Sequence, residues 1–125
     1  MGGEPSRVLV VEDDEAIRAL LTELLAEEGY AVRAAADGLE ALDLLAGWRP
    51  DAIVLDLLMP VMDGWAFRAE QRRRPDARDV PVVVVSASGD LGPPIETLAP
   101  AAVLRKPFDI AQLVAAVDRL AGRGG

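Results

Sequence analysis

The chain has 125 residues, a net charge of 13 − 21 = −8, no cysteine and no histidine. Disulfide frameworks, thiolate nucleophiles, imidazole bases and histidine metal sites are therefore excluded. The acidic balance argues against duplex DNA or an anionic membrane as a partner.

Apolar residues make up 51% of the chain but aromatics only 4%, so the core has to be aliphatic. The N-terminus MGGEPSRV has no apolar signal core, and no apolar run approaches the roughly 20 residues of a membrane span. A cytoplasmic protein is expected. The length suits one domain, 1–125, with a core over 7–121 and frayed ends at 1–6 and 122–125.

Apolar runs alternate with helical patterns along the chain. RVLVVE (7–12) is continuous and β-branched, as for a strand covered on both faces. Ile17, Leu20, Leu21, Leu24 and Leu25 then recur at helical spacing, with Asp14 placed as N-cap and Gly29 just past the end. YAVRAA (30–35) reads as a second strand. Asp37 opens a second helix with Leu39, Leu42 and Leu45 inward, ending near Gly47. DAIVLD (51–56) is a third strand, and Asp63 caps a third helix from Gly64 to about Arg73. In that helix Arg68, Gln71 and Arg72 interrupt the apolar stripe, leaving Trp65, Phe67 and Ala69. The run RAEQRRRPDAR (68–78) reads as a solvated face.

VPVVVVSA (80–87) is a fourth strand. GDLGPPIETLAP (89–100) is rich in helix breakers, so a fourth helix has to be short and begin at or after Pro93. AAVLRK (101–106) is a fifth strand. Asp109 caps a last helix with Ile110, Leu113, Val114, Val117 and Leu120 inward. The order is (βα)5. It predicts a doubly wound α/β fold with a parallel five-stranded sheet in the order 2-1-3-4-5, flavodoxin-like.

Ligands of such sheets sit at the carboxyl ends of the strands. That rim receives Glu12 and Asp13 from the first strand, Asp56 from the third, Ser86 from the fourth and Lys106 from the fifth. Three carboxylates make a hard-oxygen set suited to Mg²⁺, which takes one or two carboxylates and keeps several waters. An ammonium and a hydroxyl beside a free carboxylate suit phosphoryl transfer, where positioning and charge stabilisation do most of the work. Asp14 and Glu15 are explained without a ligand, as acids at a helix N-terminus.

VLVVEDDE (8–15), IVLDLLMPVMDG (53–64), VVVVSA (82–87) and LRKPF (104–108) together resemble the receiver domain of two-component response regulators. The resemblance runs from about Val8 to Leu120. It implies a phosphoacceptor at Asp56, charged by a sensor histidine kinase or phosphotransfer protein. It implies Mg²⁺ (or Mn²⁺) on Asp13, Asp56 and the main-chain carbonyl of Leu58, with Glu12 acting through water. Lys106 would pair with Asp56 and then with phosphoryl oxygens, and Ser86 would swing its hydroxyl onto the phosphoryl group. The Lys106–Pro107 bond is expected to be cis.

Such a module is not an enzyme, although it assists its own phosphorylation and dephosphorylation. A stand-alone receiver is expected, acting on a downstream protein, with a weak homodimer allowed. The alternatives are a receiver-like scaffold that is never phosphorylated and an Asp-nucleophile phosphohydrolase. The second is disfavoured by Leu58, where those enzymes carry an acid. Val103 departs from the family, in which an aromatic is common three residues before the lysine.

Overall fold

The computed structural model describes residues 4–87 and 93–122. The expected fraying at 1–3 and 123–125, and the breakers Gly89 and Gly92, lie outside the described residues. The elements are β1 (Arg7–Val11), α1 (Glu15–Glu27), β2 (Ala31–Ala35), α2 (Gly38–Leu45), β3 (Ala52–Asp56), α3 (Gly64–Arg72), β4 (Val82–Ser86), a single 3₁₀ turn (Ile95–Leu98), β5 (Ala102–Arg105) and α4 (Ile110–Leu120). The five strands are parallel in the order 2-1-3-4-5, as the sequence predicts. No helix among the described residues is long and apolar enough to cross a membrane.

Alternation along each strand divides the core in two, because successive side chains point to opposite faces. Leu9, Val11, Ile53, Leu55, Val82 and Val84 face α2 and α3, where Phe67 and Leu98 join them. Val8, Val10, Val54, Val83 and Val85 face the opposite layer, where Leu21, Leu25, Leu113 and Val117 close over them. The middle strands β3 and β4 are buried at every residue, which explains their unbroken apolar sequences. Each fully buried Val or Leu contributes about 1.5–3 kcal/mol.

Side-chain caps start the helices where the sequence places them. Asp14 accepts from the Ile17 amide at 3.0 Å, Asp37 from Glu40 at 2.8 Å and Asp63 from Ala66 at 2.9 Å. At α4 the Asp109 amide donates to Gln112 Oε1 at 3.0 Å.

Three inward assignments need correction. Leu39 is 49% exposed. The inward position is Gly38, whose amide donates to Met62 O at 3.0 Å and whose surface is so close to Met62 that no Cβ fits. Leu20 is also half exposed. In α3 the inward residues are Gly64, Phe67, Arg68 and Gln71, while Ala69 is exposed. Arg68 and Gln71 do not weaken the buried stripe. They belong to it, because their polar atoms are matched inside.

Gln71 is fully buried and donates through Nε2 to Ala77 O at 2.9 Å and Val80 O at 3.1 Å. Its Oε1 accepts from Arg68 Nη1 at 2.7 Å. Burial of such groups is tolerated only when they are hydrogen-bonded. Among the described residues the short fourth helix is a 3₁₀ turn following Pro94.

Gly64 links this fold to the rim. Its amide donates to Leu57 O at 2.8 Å, and a Cβ there would stand 2.8 Å from both Asp56 O and Leu57 Cα. That clash is with backbone, which cannot rotate aside. Gly64→Ala is expected to destabilise the chain by about 1–3 kcal/mol in urea unfolding, through a displaced β3–α3 turn. An unchanged midpoint would show that the turn yields freely.

Candidate functional site

Strand register brings the rim residues together. Val11 pairs with Leu55, so Glu12 follows β1 beside Asp56, the last residue of β3. Asp56 is opposite Val85, one residue before Ser86, and Ser86 is opposite Arg105, one residue before Lys106. The ladder continues past the strands through Glu12 N–H to Ala35 O at 3.0 Å and Lys106 N–H to Ser86 O at 2.8 Å. The rim groups therefore stand on rigid paired backbone.

Glu12, Asp13 and Asp56 each offer a carboxylate oxygen within 4.8 Å of the others. Glu12 and Asp56 are buried and Asp13 is exposed, so the cluster opens to solvent on the Asp13 side. Lys106 Nζ lies 3.7 Å from Asp56 Oδ1 and 3.8 Å from Glu12 Oε1. Both distances exceed the 2.7–2.9 Å of a charge-assisted hydrogen bond, so the ammonium faces the acids without closing on either. The Lys106–Pro107 peptide is cis, as the resemblance implies.

Ser86 is fully buried and its hydroxyl donates to Ala87 O at 3.3 Å. Leu58 lies two residues past Asp56 with its side chain half exposed. Val103, on the outer strand β5, is 37% exposed.

Sequence reasoning missed Arg18. From α1 its Nη1 donates to the main-chain carbonyls of Glu12 at 3.0 Å and Asp13 at 3.3 Å, fixing the acidic turn from behind. Its spacing from the acids, within a helix, carries no marker that separates it from a solvated arginine. The groove beside the site was also not foreseen as a unit. It encloses about 450 Å³ between α1 and α4, and its mostly apolar lining includes Ile17, Leu20, Leu21, Pro107, Phe108 and Ile110, with Glu12 and Lys106 at one end.

Three carboxylates facing one ammonium leave two negative charges uncompensated, a donor set that fits a divalent oxygen-seeking cation. With protein groups alone, burial pushes the Glu12 carboxyl up from 4.5 to about 7. The Asp14 amide, which donates to Glu12 Oε2 at 3.1 Å, pulls it down; Asp56 adds to the rise and Lys106 opposes it. Burial likewise raises Asp56, with Lys106 pulling the other way.

The folded chain thus holds the Glu12 proton more tightly than the unfolded chain. Its contribution is most favourable below pH 4.5 and is lost as the pH rises to about 7. Glu12→Gln is expected to be more stable than the natural chain by about 1–3 kcal/mol at high pH, with no advantage in acid, by urea unfolding across pH without metal. An identical pH profile in both chains would overturn the assignment.

A family model for the response regulator receiver domain matches residues 8–118. The chain is 41% identical over 121 residues to response regulator MprA of Mycobacterium sp. (strain KMS), covering 95% of this chain and 52% of that protein. It is 40% identical over 119 residues to response regulator MprA of Mycobacterium avium (strain 104), covering 94% of this chain and 51% of that protein. It therefore spans about half the length of these curated relatives.

Among solved structures, a putative response regulator from Chloroflexus aurantiacus J-10-fl superposes with a TM-score of 0.85 at 33% identity, over 95% of this chain and 99% of that one. The receiver domain of sensor histidine kinase PA1611 from Pseudomonas aeruginosa PAO1, solved with a magnesium ion coordinated in its active-site cleft, gives 0.85 at 30% identity over 94% and 98%. On its sequence, its strand order and its acidic rim, the chain belongs to the response regulator receiver domain family.

Proposed function

We propose that this receiver accepts a phosphoryl group on Asp56 from a phosphohistidine on a sensor histidine kinase or phosphotransfer protein, and passes the change to a downstream protein. One observation carries the reading. Asp56 is buried at the end of β3, clustered with Glu12 and Asp13, and faces Lys106 at 3.7 Å. A carboxylate held this way is a nucleophile with its charge partners already in place.

In the transfer an Asp56 oxygen attacks phosphorus. The phosphorus–nitrogen bond of the donor breaks, and the imidazole keeps the electron pair. Lys106, poised between two acids and bound closely to neither, is free to pair with a phosphoryl oxygen. Ser86 releases Ala87 O and donates to another.

Asp13, Asp56 and the Leu58 carbonyl would hold Mg²⁺, with Glu12 acting through water. When bound, the ion would neutralise charge on the phosphoryl oxygens and on the acids. Glu12 would give up its proton to become part of that set. The apolar groove between α1 and α4 ends at Glu12 and Lys106, and it suits the apolar face of a partner helix that brings the phosphohistidine to Asp56. The same groups would serve the loss of the phosphoryl group, so the module assists both directions without turning over an external substrate.

Treatment with acetyl phosphate and Mg²⁺ is expected to add one phosphoryl group by intact mass, and none to Asp56→Asn. Lys106→Ala is expected to slow the reaction by about 10²-fold. A natural chain that takes no adduct, or an adduct that persists in Asp56→Asn, would sink the reading.

A further inference from the structure

Between β1 and α1 the chain makes a bend, Glu12 to Asp14, that belongs to neither element. Carbonyls in such a bend have left the strand ladder, so their partners come from side chains or water. Among the described residues no main-chain amide reaches the carbonyl of Glu12 or of Asp13. Both are taken by Arg18, one turn into α1.

Arg18 Nη1 donates to Glu12 O at 3.0 Å and to Asp13 O at 3.3 Å, and the Arg18 main-chain amide donates to Asp14 O at 2.8 Å. Three successive carbonyls of the acidic turn thus rest on one residue. The flanks of the turn have other support. Glu12 N–H pairs with Ala35 O, and Asp14 caps α1 through the Ile17 amide. Asp13 has none. Among the described residues the bond from Arg18 is the one hydrogen bond to its main chain.

The peptide that joins Asp13 to Asp14 is planar, so its two edges turn together. Its carbonyl accepts from Arg18 Nη1, and its N–H donates to Glu12 Oε2 at 3.1 Å. Holding the carbonyl therefore aims the N–H at the Glu12 carboxylate. It also fixes the main chain from which the Asp13 carboxylate reaches the cluster with Asp56.

Arg18 does this without pairing with an acid. Among the described residues no carboxylate forms a salt bridge with it. By charge alone a guanidinium near the rim would repel a cation bound there. Position and charge thus predict opposite effects of removing it.

We propose that Arg18 is a positioning residue for the divalent cation. It holds the Asp13–Asp14 peptide so that the Asp13 and Glu12 carboxylates converge with Asp56, and it raises Mg²⁺ affinity despite its own positive charge. The proposal rests on the acidic rim being the Mg²⁺ site. Groups that orient metal ligands typically change affinity by about 10–100-fold when removed.

The test is NMR titration of the full chain with MgCl₂ at constant ionic strength, following the amide resonances of the acidic turn. Arg18→Met keeps an aliphatic stem and loses the donors and the charge. It is expected to bind Mg²⁺ about 10-fold more weakly than the natural chain. Tighter binding would show that only the charge of Arg18 is felt at the rim. Unchanged binding in the folded variant would make Arg18 a prop for the fold alone. Either result overturns the positioning role. Should Arg18→Met not fold, Arg18→Gln, neutral and too short to bridge both carbonyls, is judged by the same criterion. A natural chain that binds no Mg²⁺ overturns the Mg²⁺ reading of the rim, and the role of Arg18 with it.

Discussion

Glu12 and Asp56 stand side by side out of water, with Asp13 at the mouth and the Lys106 ammonium 3.7–3.8 Å away. Burial of two carboxylates so close together is unfavourable, and one ammonium at that distance offsets only part of the cost. The backbone nevertheless imposes the arrangement. Glu12 follows β1 and Asp56 ends β3, and these strands are locked in register by a sheet whose two faces are covered. The charge imbalance is thus sustained by packing energy drawn from the whole domain. The cluster's net negative charge and oxygen donors suit a divalent oxygen-seeking cation.

The surroundings keep that cluster in place from several sides. Arg18 holds the main chain of the acidic turn through the carbonyls of Glu12 and Asp13. Gly64 lets α3 start against the carbonyl of Asp56, and any side chain there would push on the end of β3. Ser86 and Lys106 are tied to each other through backbone, so the hydroxyl and the ammonium share one rigid support. Ahead of β5, among the described residues, Ile95–Leu98 form a 3₁₀ turn. α3 hydrogen-bonds the end of that turn through Arg68, and the buried Arg68–Gln71 pair joins the approaches to β4 and β5.

The sequence read well wherever the signal was local. Strand order followed from alternation of elements and crossover handedness. The N-caps at Asp14, Asp37 and Asp63 followed from short acids ahead of apolar periodicity. Local pattern misleads in α3, where polarity suggests exposure. Arg68 and Gln71 are inside because the carbonyls of Leu98, Ala99, Ala77 and Val80 meet them there, and those acceptors lie from 6 to 31 residues away. Leu39 failed for the opposite reason. An apolar residue in a helix's first turn suggests burial, but close contact with Met62 needs the bare surface of Gly38.

By itself the sequence determined the α/β class, the strand order and the list of rim residues, Glu12, Asp13, Asp56, Ser86 and Lys106. Each depends on periodicity within one element or on which residue ends a strand. Tertiary structure alone decided how those residues face one another and how far Lys106 stands from the acids. It also decided that Ser86 turns to Ala87 O and that Arg68 of α3 binds the carbonyls of Leu98 and Ala99. These are contacts between segments far apart in the chain. Whether a polar side chain is stable inside depends on the partner it meets there, which no local pattern records.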